Sequence, residues 1–410
     1  MKNPREKTRT SRSFFPRDKY CGDAVTTPAL DILKEMDVYD TIIDMNEGHL
    51  ADNGGMVSPS GISFIGRSKD ELGKAACMAV KRINLDFRMV QASVKKGAIF
   101  HDGCEVTNLS LDASKEFWTV ECTQSPRKSS TPSIVGFNTD DRPREMSWKS
   151  FRGKTVILGD GSVSGMATKL GLCNAPPLGI CSRAFVEGGT HNCSFDGVCF
   201  FHRESLPGYS AIFRHPNDEL NYCYYLIPTD DTGKCGNVEP KDLRRLHEDA
   251  IKNDPFISAS LGENAKIERM KAAPLRIGCQ GVPLSYSHRL LIAGDAAGFI
   301  DPLTGEGIHL AMKSGKLAAF TVIDMLRTGQ FSPRMHSLYE ARWKADFGHD
   351  FGLSTVCARV VWKLPFFLDA ITNEMRRAGG DALMAKVRLP LLFFYSHLYN
   401  ADVTGDGLIE

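Results

Sequence analysis

Between the polar Arg289 and the pair Gly294 and Asp295 stand four consecutive apolar residues, Leu290, Leu291, Ile292 and Ala293. An unbroken apolar run of that length, closed by glycine, predicts a strand buried on both faces of a parallel sheet. Small and apolar residues then recur through Ile308 to Met312 and at Gly315, Ala318 and Ala319, which predicts a helix. Upstream, Leu85, Met89, Val90 and Val94 repeat at helical spacing and stop at Gly97. Short strands are predicted at 62–65, near 99, at 105–109, 118–122 and 155–158. Four β-patterned runs at 181–186, 198–202, 209–213 and 222–227, with turns between them, predict an antiparallel sheet. An amphipathic helix over 239–253 follows, and residues 266–274 lead back to the apolar run. The pattern as a whole predicts an α/β chain, α+β overall. A Rossmann-like lobe comes from 15–177 and 275–330, an antiparallel-sheet lobe from 178–274, and a helical region from 331–410.

Composition narrows the function classes. The 410 residues are 42% hydrophobic and 24% charged, ordinary values for a globular enzyme of two lobes. A net charge of +1 gives no footing for nucleic acid as the main partner. The 12 cysteines are scattered, with no C-x-x-C pair, so neither a metal site nor a disulfide framework is expected, and reduced intracellular thiols fit best. No apolar run reaches the roughly 18 residues of a spanning helix. The shorter apolar segments from Leu364 to Leu368 and from Leu389 to Tyr395 are read either as core or as peripheral membrane contacts. Residues 1–14 read as a disordered or truncated start, or as the remnant of a transit peptide. The stretch from Ser125 to Ser147, rich in Ser, Pro, Arg and Asp, reads as an exposed loop. Asp402 to Gly407 has the spacing of half a calcium loop, without the bidentate acid that would complete it, so no calcium site is expected.

The chemistry concentrates after the apolar run. Asp295 places a carboxylate at the C-terminal end of a parallel strand, where open α/β sheets hold their ligands. Gly305-Glu306-Gly307 makes a second turn whose following helix points backbone amides outward, suited to an anion or an electron-rich carbonyl. Together they can grip the hydroxyls and the electron-rich edge of one extended cofactor.

GDAAGFIDPLTGEGI, from Gly294 to Ile308, resembles the second FAD motif of flavoproteins related to p-hydroxybenzoate hydroxylase, and its continuation is most similar to the geranylgeranyl reductase family. The resemblance implies an FAD-binding lobe. In it Asp295 binds the ribityl and phosphate part, and Gly305 and Gly307 lie near the pyrimidine edge of the flavin. Gly294, Gly298, Pro302 and Ile308 complete that motif. FFPRDKYCGDA resembles a second family segment, with Tyr20 in place of the usual proline; it implies a thiol, Cys21, beside flavin and substrate, flanked in the pocket by Gly22 and Asp23. Arg82, Leu85, Asp86 and Met89 match a third, which implies that Arg82 contacts FAD. Gly159-Asp160-Gly161-Ser162-Val163-Ser164 resembles a fourth, in which Asp160 and Gly161 shape the cofactor pocket, although Leu158 and Gly159 replace the usual Gly-Ala. Leu206 to Phe213 is similar to the motif lining the prenyl pocket, with Ala211 where the family has tryptophan, so Tyr209, Ala211 and Phe213 join the substrate set together with Tyr225. The run Tyr222, Tyr224, Tyr225 reads as tunnel lining or as core.

One departure is large. The family's G-x-G-x-x-G strand and helix ahead of this segment have no counterpart, since no glycine precedes Gly22 and Ser11 stands where an acid would hold the adenosine ribose. The pyrophosphate therefore has no assigned holder. The implied function is FAD-dependent reduction of isoprenoid carbon–carbon double bonds, with NADPH or NADH as electron donor and Cys21 as proton donor or pocket wall. The substrate implied is an isoprenoid or prenyl lipid. Two alternatives stand beside it. A flavin monooxygenase or halogenase of the same superfamily would carry W-x-W-x-I-P, of which only Ile227 and Pro228 remain here. A non-catalytic relative would act as a binding protein.

Overall fold

The computed structural model describes residues 8–11, 13–67, 75–126, 145–227 and 239–377. Most of the 125–147 loop, Pro228, the 389–395 segment and the 402–407 turn lie outside them.

Leu290–Ile292 forms the predicted strand, with all three residues buried. It pairs in parallel with Val156–Leu158 and antiparallel with Tyr286–Ser287. A second parallel pair, Thr8–Ser11 with Ile99–Asp102, makes a separate two-stranded sheet. No strand among the described residues joins the two pairs. The helix Ile308–Thr328 packs against the 290–292 strand. It is locked there by the Gly294 amide, which donates to the buried Ser314 Oγ at 3.0 Å, and by Tyr339 of the helix Pro333–Trp343, whose hydroxyl donates to the Ile292 carbonyl at 2.8 Å.

The larger sheet has seven strands. Their order is Lys266–Leu275, Gly179–Glu187, Leu220–Leu226, Gly208–Arg214, Gly197–Phe200, Asn53–Val57 and Ser63–Arg67. Its ladder is antiparallel except where Gly197–Phe200 runs parallel to Asn53–Val57. Beside the strand predicted at 62–65, which forms as Ser63–Arg67, the 50–66 region thus contributes a second, Asn53–Val57, to the sheet. Strand alternation assigns its faces. On the back, Ile212, Tyr222, Tyr224 and Leu226 bury against the helices Leu243–Asn253 and Pro255–Leu261. On the front lie Cys181, Arg183, Asn221, Cys223, Tyr225, Phe213, Ala211, Tyr209 and Cys199, linked by the register.

The run of tyrosines is therefore divided. Tyr222 and Tyr224 belong to the core, with ring centroids 4.6 and 4.7 Å from His247, so they line no tunnel; Tyr225 faces forward. A further three-stranded sheet of Ala24–Thr26, Cys77–Val80 and Gly48–Leu50 carries the helices Thr27–Glu35 and Arg82–Lys95 beside the helix Ile308–Thr328. The eleven described cysteines are free thiols.

Candidate active site

The turn after the 290–292 strand is built by glycines in left-handed conformations and by one buried acid. Gly294, Gly298 and Gly305 have φ of 62°, 77° and 71°. Asp301, buried, accepts the amides of Leu303 and Thr304 at 2.9 and 2.8 Å, and its own amide donates to the Glu306 carbonyl at 2.9 Å. Pro302 packs near Gly278, and a Cβ on Gly298 would lie 2.8 Å from the Cys279 Cα, so both residues shape the turn from inside. Gly307 caps the helix Ile308–Thr328, whose first amides have no intrahelical acceptor. A Cβ on Gly307 would stand 3.0 Å from Ile300 Cγ1 and 3.4 Å from Asp295 Oδ1. The bare backbone there leaves a cradle floored by the Asp295 carboxylate and ended by helix amides.

The front face of the seven-stranded sheet is tied to this cradle. The Tyr209 hydroxyl donates to the Thr304 carbonyl, the Tyr225 hydroxyl donates to the Asp301 carbonyl at 3.4 Å, and the Tyr225 ring packs on Gly305. Ala211 is fully buried between Cys199 and Cys223 in the ladder, and Phe213 sits against Gly22.

Segment 17–23 gathers the rest, because nearly every residue in it is anchored to a different element. Arg17 pairs with Asp86 at 2.9 Å, Asp18 with the buried Arg183 at 2.6 Å, and Lys19 with Asp295 at 3.2 Å. Gly22 lies on Cys223, where a Cβ would stand 2.9 Å from the sulfur. Asn221 donates through Nδ2 to the Cys21 carbonyl at 3.2 Å and to Asp23 Oδ2 at 2.8 Å. The Cys21 side chain lies within hydrogen-bonding reach of the Arg82 guanidinium. Arg82 itself forks onto Asp86 at 2.8 and 3.0 Å. Burial acts to lower its pKa, but Asp86 and Cys21 outweigh this and hold it above the ordinary value.

Three groups here are shifted. Burial pushes Asp23 up to about 7 against the pull of Arg183, Arg82 and Asn221. Burial pushes His215, 3.6 Å from Asp23, down to about 4. Glu306, hydrogen-bonded by Thr26, is raised to about 8 by burial and by Asp301, although a quarter of its side chain stays open. The front-face thiols Cys181, Cys199 and Cys223 are all pushed up by burial, so they stay protonated and inert.

The structure brings together Cys21, Gly22, Asp23, Arg82, Asp295, Gly305, Gly307, Ile308, Tyr209, Ala211, Phe213 and Tyr225 in one region. Asp160 and Gly161 are less engaged with it. Asp160 is exposed and caps the short helix Gly165–Lys169, accepting Ser164 Oγ at 2.8 Å and the Met166 amide at 3.3 Å, and Gly161 supplies a φ of 84° in that turn. Sequence reasoning assigned no role to Lys19, the Asp18–Arg183 pair, His215, Asn221 or Glu306. Lys19, Asp18 and Glu306 stand inside segments already singled out, which was the available signal. The other three carry no local one.

The residues present fit part of an FAD molecule. Asp295 and the cradle at Gly305 to Ile308 suit the ribityl chain and the carbonyl edge of an isoalloxazine. A second glycine-bearing strand-to-helix turn, Gly159 to Ser164, joins Val156–Leu158 to a helix of only five residues, Gly165–Lys169.

No family model matches the chain. It is 43% identical over 378 residues to conditioned medium factor receptor 1 of Dictyostelium discoideum, covering 91% of this chain and 69% of that one. To digeranylgeranylglycerophospholipid reductase 2 of Methanopyrus kandleri it is 25% identical over 241 residues, 57% of this chain and 55% of the reductase, so it spans about half the length of that relative. A geranylgeranyl bacteriochlorophyll reductase-like protein from Thermoplasma acidophilum has the same fold, with a TM-score of 0.70, 17% identity, and coverage of 96% of this chain and 90% of that one.

Proposed function

Since the chain belongs to the geranylgeranyl reductase-like family of FAD-dependent oxidoreductases, we propose that it binds FAD in the Asp295 cradle and reduces carbon–carbon double bonds of an isoprenoid or prenyl lipid. FAD, when bound, supplies the hydride chemistry. The observation that carries the reading is the tie between cradle and sheet: Tyr209 and Tyr225 fasten the turn to the front face that holds the pocket residues. Asp295 would hold ribityl hydroxyls in place of its partner Lys19, whose side chain is 38% exposed. The amides at Ile308 would hold the carbonyl edge of the ring. Phe213, Ala211, Tyr209 and Tyr225 exclude water from an apolar chain laid along the front face. Cys21, beside Arg82, is the proposed proton donor to the carbon adjacent to the one reduced, or a wall of the pocket. A nicotinamide cofactor is the proposed electron donor.

The name of the Dictyostelium relative, a receptor, favours a second reading in which this chain binds its ligand without turnover. Absorbance of the purified protein, before and after incubation with FAD, separates the two. Near-stoichiometric flavin bands that bleach with NADPH, and reoxidise on adding a geranylgeranyl acceptor, are the outcome expected. Protein that stays colourless in excess FAD sinks the reductase reading.

A further inference from the structure

The helix His349–Val361 has two faces with different jobs. Its inner face, through Leu353, Cys357, Ala358 and Val361, packs with Leu303 of the cofactor turn and with Cys199 and Tyr209 of the front sheet face. Its outer face continues past Val361 to a corner, where the direction of the chain turns by 106° into the helix Phe366–Arg377. Along that outer face the exposed large side chains are Val356 at 58%, Val360 at 42%, Leu364 at 42% and Phe366 at 57%. Their spacing of four, four and two residues places the first three on one stripe, with the phenylalanine at the corner. Interleaved with them are Arg359 and Lys363, both exposed. Between Gly352 and Phe366 there is no acid. Of the sequence segment from Leu364 to Leu368, Leu364 and Phe366 face outward while Leu368 is buried.

We propose that this helix corner docks on the surface of an anionic lipid bilayer, with Val356, Val360, Leu364 and Phe366 entering the headgroup boundary and Arg359 and Lys363 meeting lipid phosphates. An apolar stripe flanked only by cations is the pattern of an in-plane interfacial helix, and the absence of acids gives it charge complementarity to anionic lipid. Among the described residues no single helix is long and apolar enough to cross a membrane. The inner face of the same helix lines the region of Tyr209 and Leu303, so a prenyl lipid leaving the bilayer at this corner has a short way to the pocket. That delivery role rests on the reductase reading; the docking itself does not.

Sedimentation of the full chain with vesicles tests it. Binding is expected to vesicles of phosphatidylcholine with one-third phosphatidylserine, and to weaken at high salt. Arg359→Gln with Lys363→Gln is expected to weaken it on the order of 30-fold. Val356→Asp with Phe366→Asp is expected to abolish it. Both pairs sit at exposed positions, and a retained unfolding midpoint verifies the fold; should the aspartate pair unfold, the glutamine pair decides. Wild-type protein that stays in the supernatant overturns the proposal, as does aspartate-substituted protein that binds as well as wild type. A dimer that the aspartate pair dissociates also overturns it, assigning the face to a second copy. Flavin absorbance read on the same samples keeps the two readings apart: vesicle binding without flavin removes only the reductase, and flavin without vesicle binding removes only the docking.

Discussion

Gly305 carries two constraints at one residue. Its φ of 71° is costly for any side chain, and a Cβ would stand 2.6 Å from the Tyr225 ring. Strain of about 1 kcal/mol and overpacking of about 1–3 kcal/mol add at that point, so Gly305→Ala is expected to lower the unfolding free energy by roughly 2–4 kcal/mol. Urea unfolding measures this, and an unchanged midpoint would refute the packing described. Asp23 makes a different prediction. As an acid whose folded value is raised to about 7, it keeps its proton in the folded state where the unfolded chain has lost it. The contribution of Asp23 to stability therefore falls as pH rises from about 4 to about 7, by up to about 1.4 kcal/mol per pH unit, against a rise contributed by His215, whose folded value is lowered to about 4. Asp23→Asn removes that slope, so wild type and variant should diverge progressively over this window in pH-dependent unfolding. Parallel curves would show that Asp23 titrates normally. Gly305 was legible in the sequence because a left-handed turn leaves a glycine as its mark. The buried state of Asp23 was not, since it comes from Asn221 and His215, about 200 residues away.

At the scale of elements, segment 17–23 works as a clasp, and its hold is testable at the Asp18–Arg183 pair. Only 3% of the Arg183 side chain is exposed, against 45% for Asp18. Removing Asp18 leaves a buried guanidinium without its counter-charge, and Asp18→Ala is expected to cost about 2–3 kcal/mol, below the full cost of breaking a buried pair because water reaches the Asp18 side. Arg183→Met added to Asp18→Ala should recover most of the loss, because the orphaned charge is then gone. A double variant as unstable as the single one would mean that Arg183 matters for its packing on Phe185, 4.5 Å from the ring centroid, and not for its charge. Strands and helices were legible where their periodicity was strong, as in Leu290–Ile292, Arg82–Lys95 and Ile308–Thr328. Alternation alone also separates Tyr222 and Tyr224 from Tyr225. What periodicity does not encode is partner choice: nothing local to Asn53–Val57 says that it joins Gly197–Phe200, and nothing local to Lys19 says that it meets Asp295.

Across the whole molecule, the helix behind the Gly294–Ile308 turn and the back of the seven-stranded sheet lie in different hydrophobic clusters, and the two meet where Ile300 and Leu303 pack beside Tyr225 and Tyr209, whose hydroxyls reach the carbonyls of the turn. The motif order in the sequence made both halves legible, but not this joint, because tyrosine on a strand carries no sign of which carbonyl its hydroxyl will reach. The joint predicts how FAD binding spreads. At a hundred times its dissociation constant, a ligand that binds only the folded state adds about 2.7 kcal/mol of stability. If the ties transmit that gain, FAD slows amide exchange in the helix Ile308–Thr328 and also in the strands Gly208–Arg214 and Leu220–Leu226. In the double variant Tyr209→Phe, Tyr225→Phe the helix remains the part that contacts the cofactor, so its protection should persist while that of the two strands drops towards the cofactor-free level. Hydrogen exchange read by mass spectrometry, with and without FAD, resolves these segments. Strand protection equal in wild type and double variant would show that the two lobes are coupled by their general packing, with no special part for the tyrosine hydroxyls.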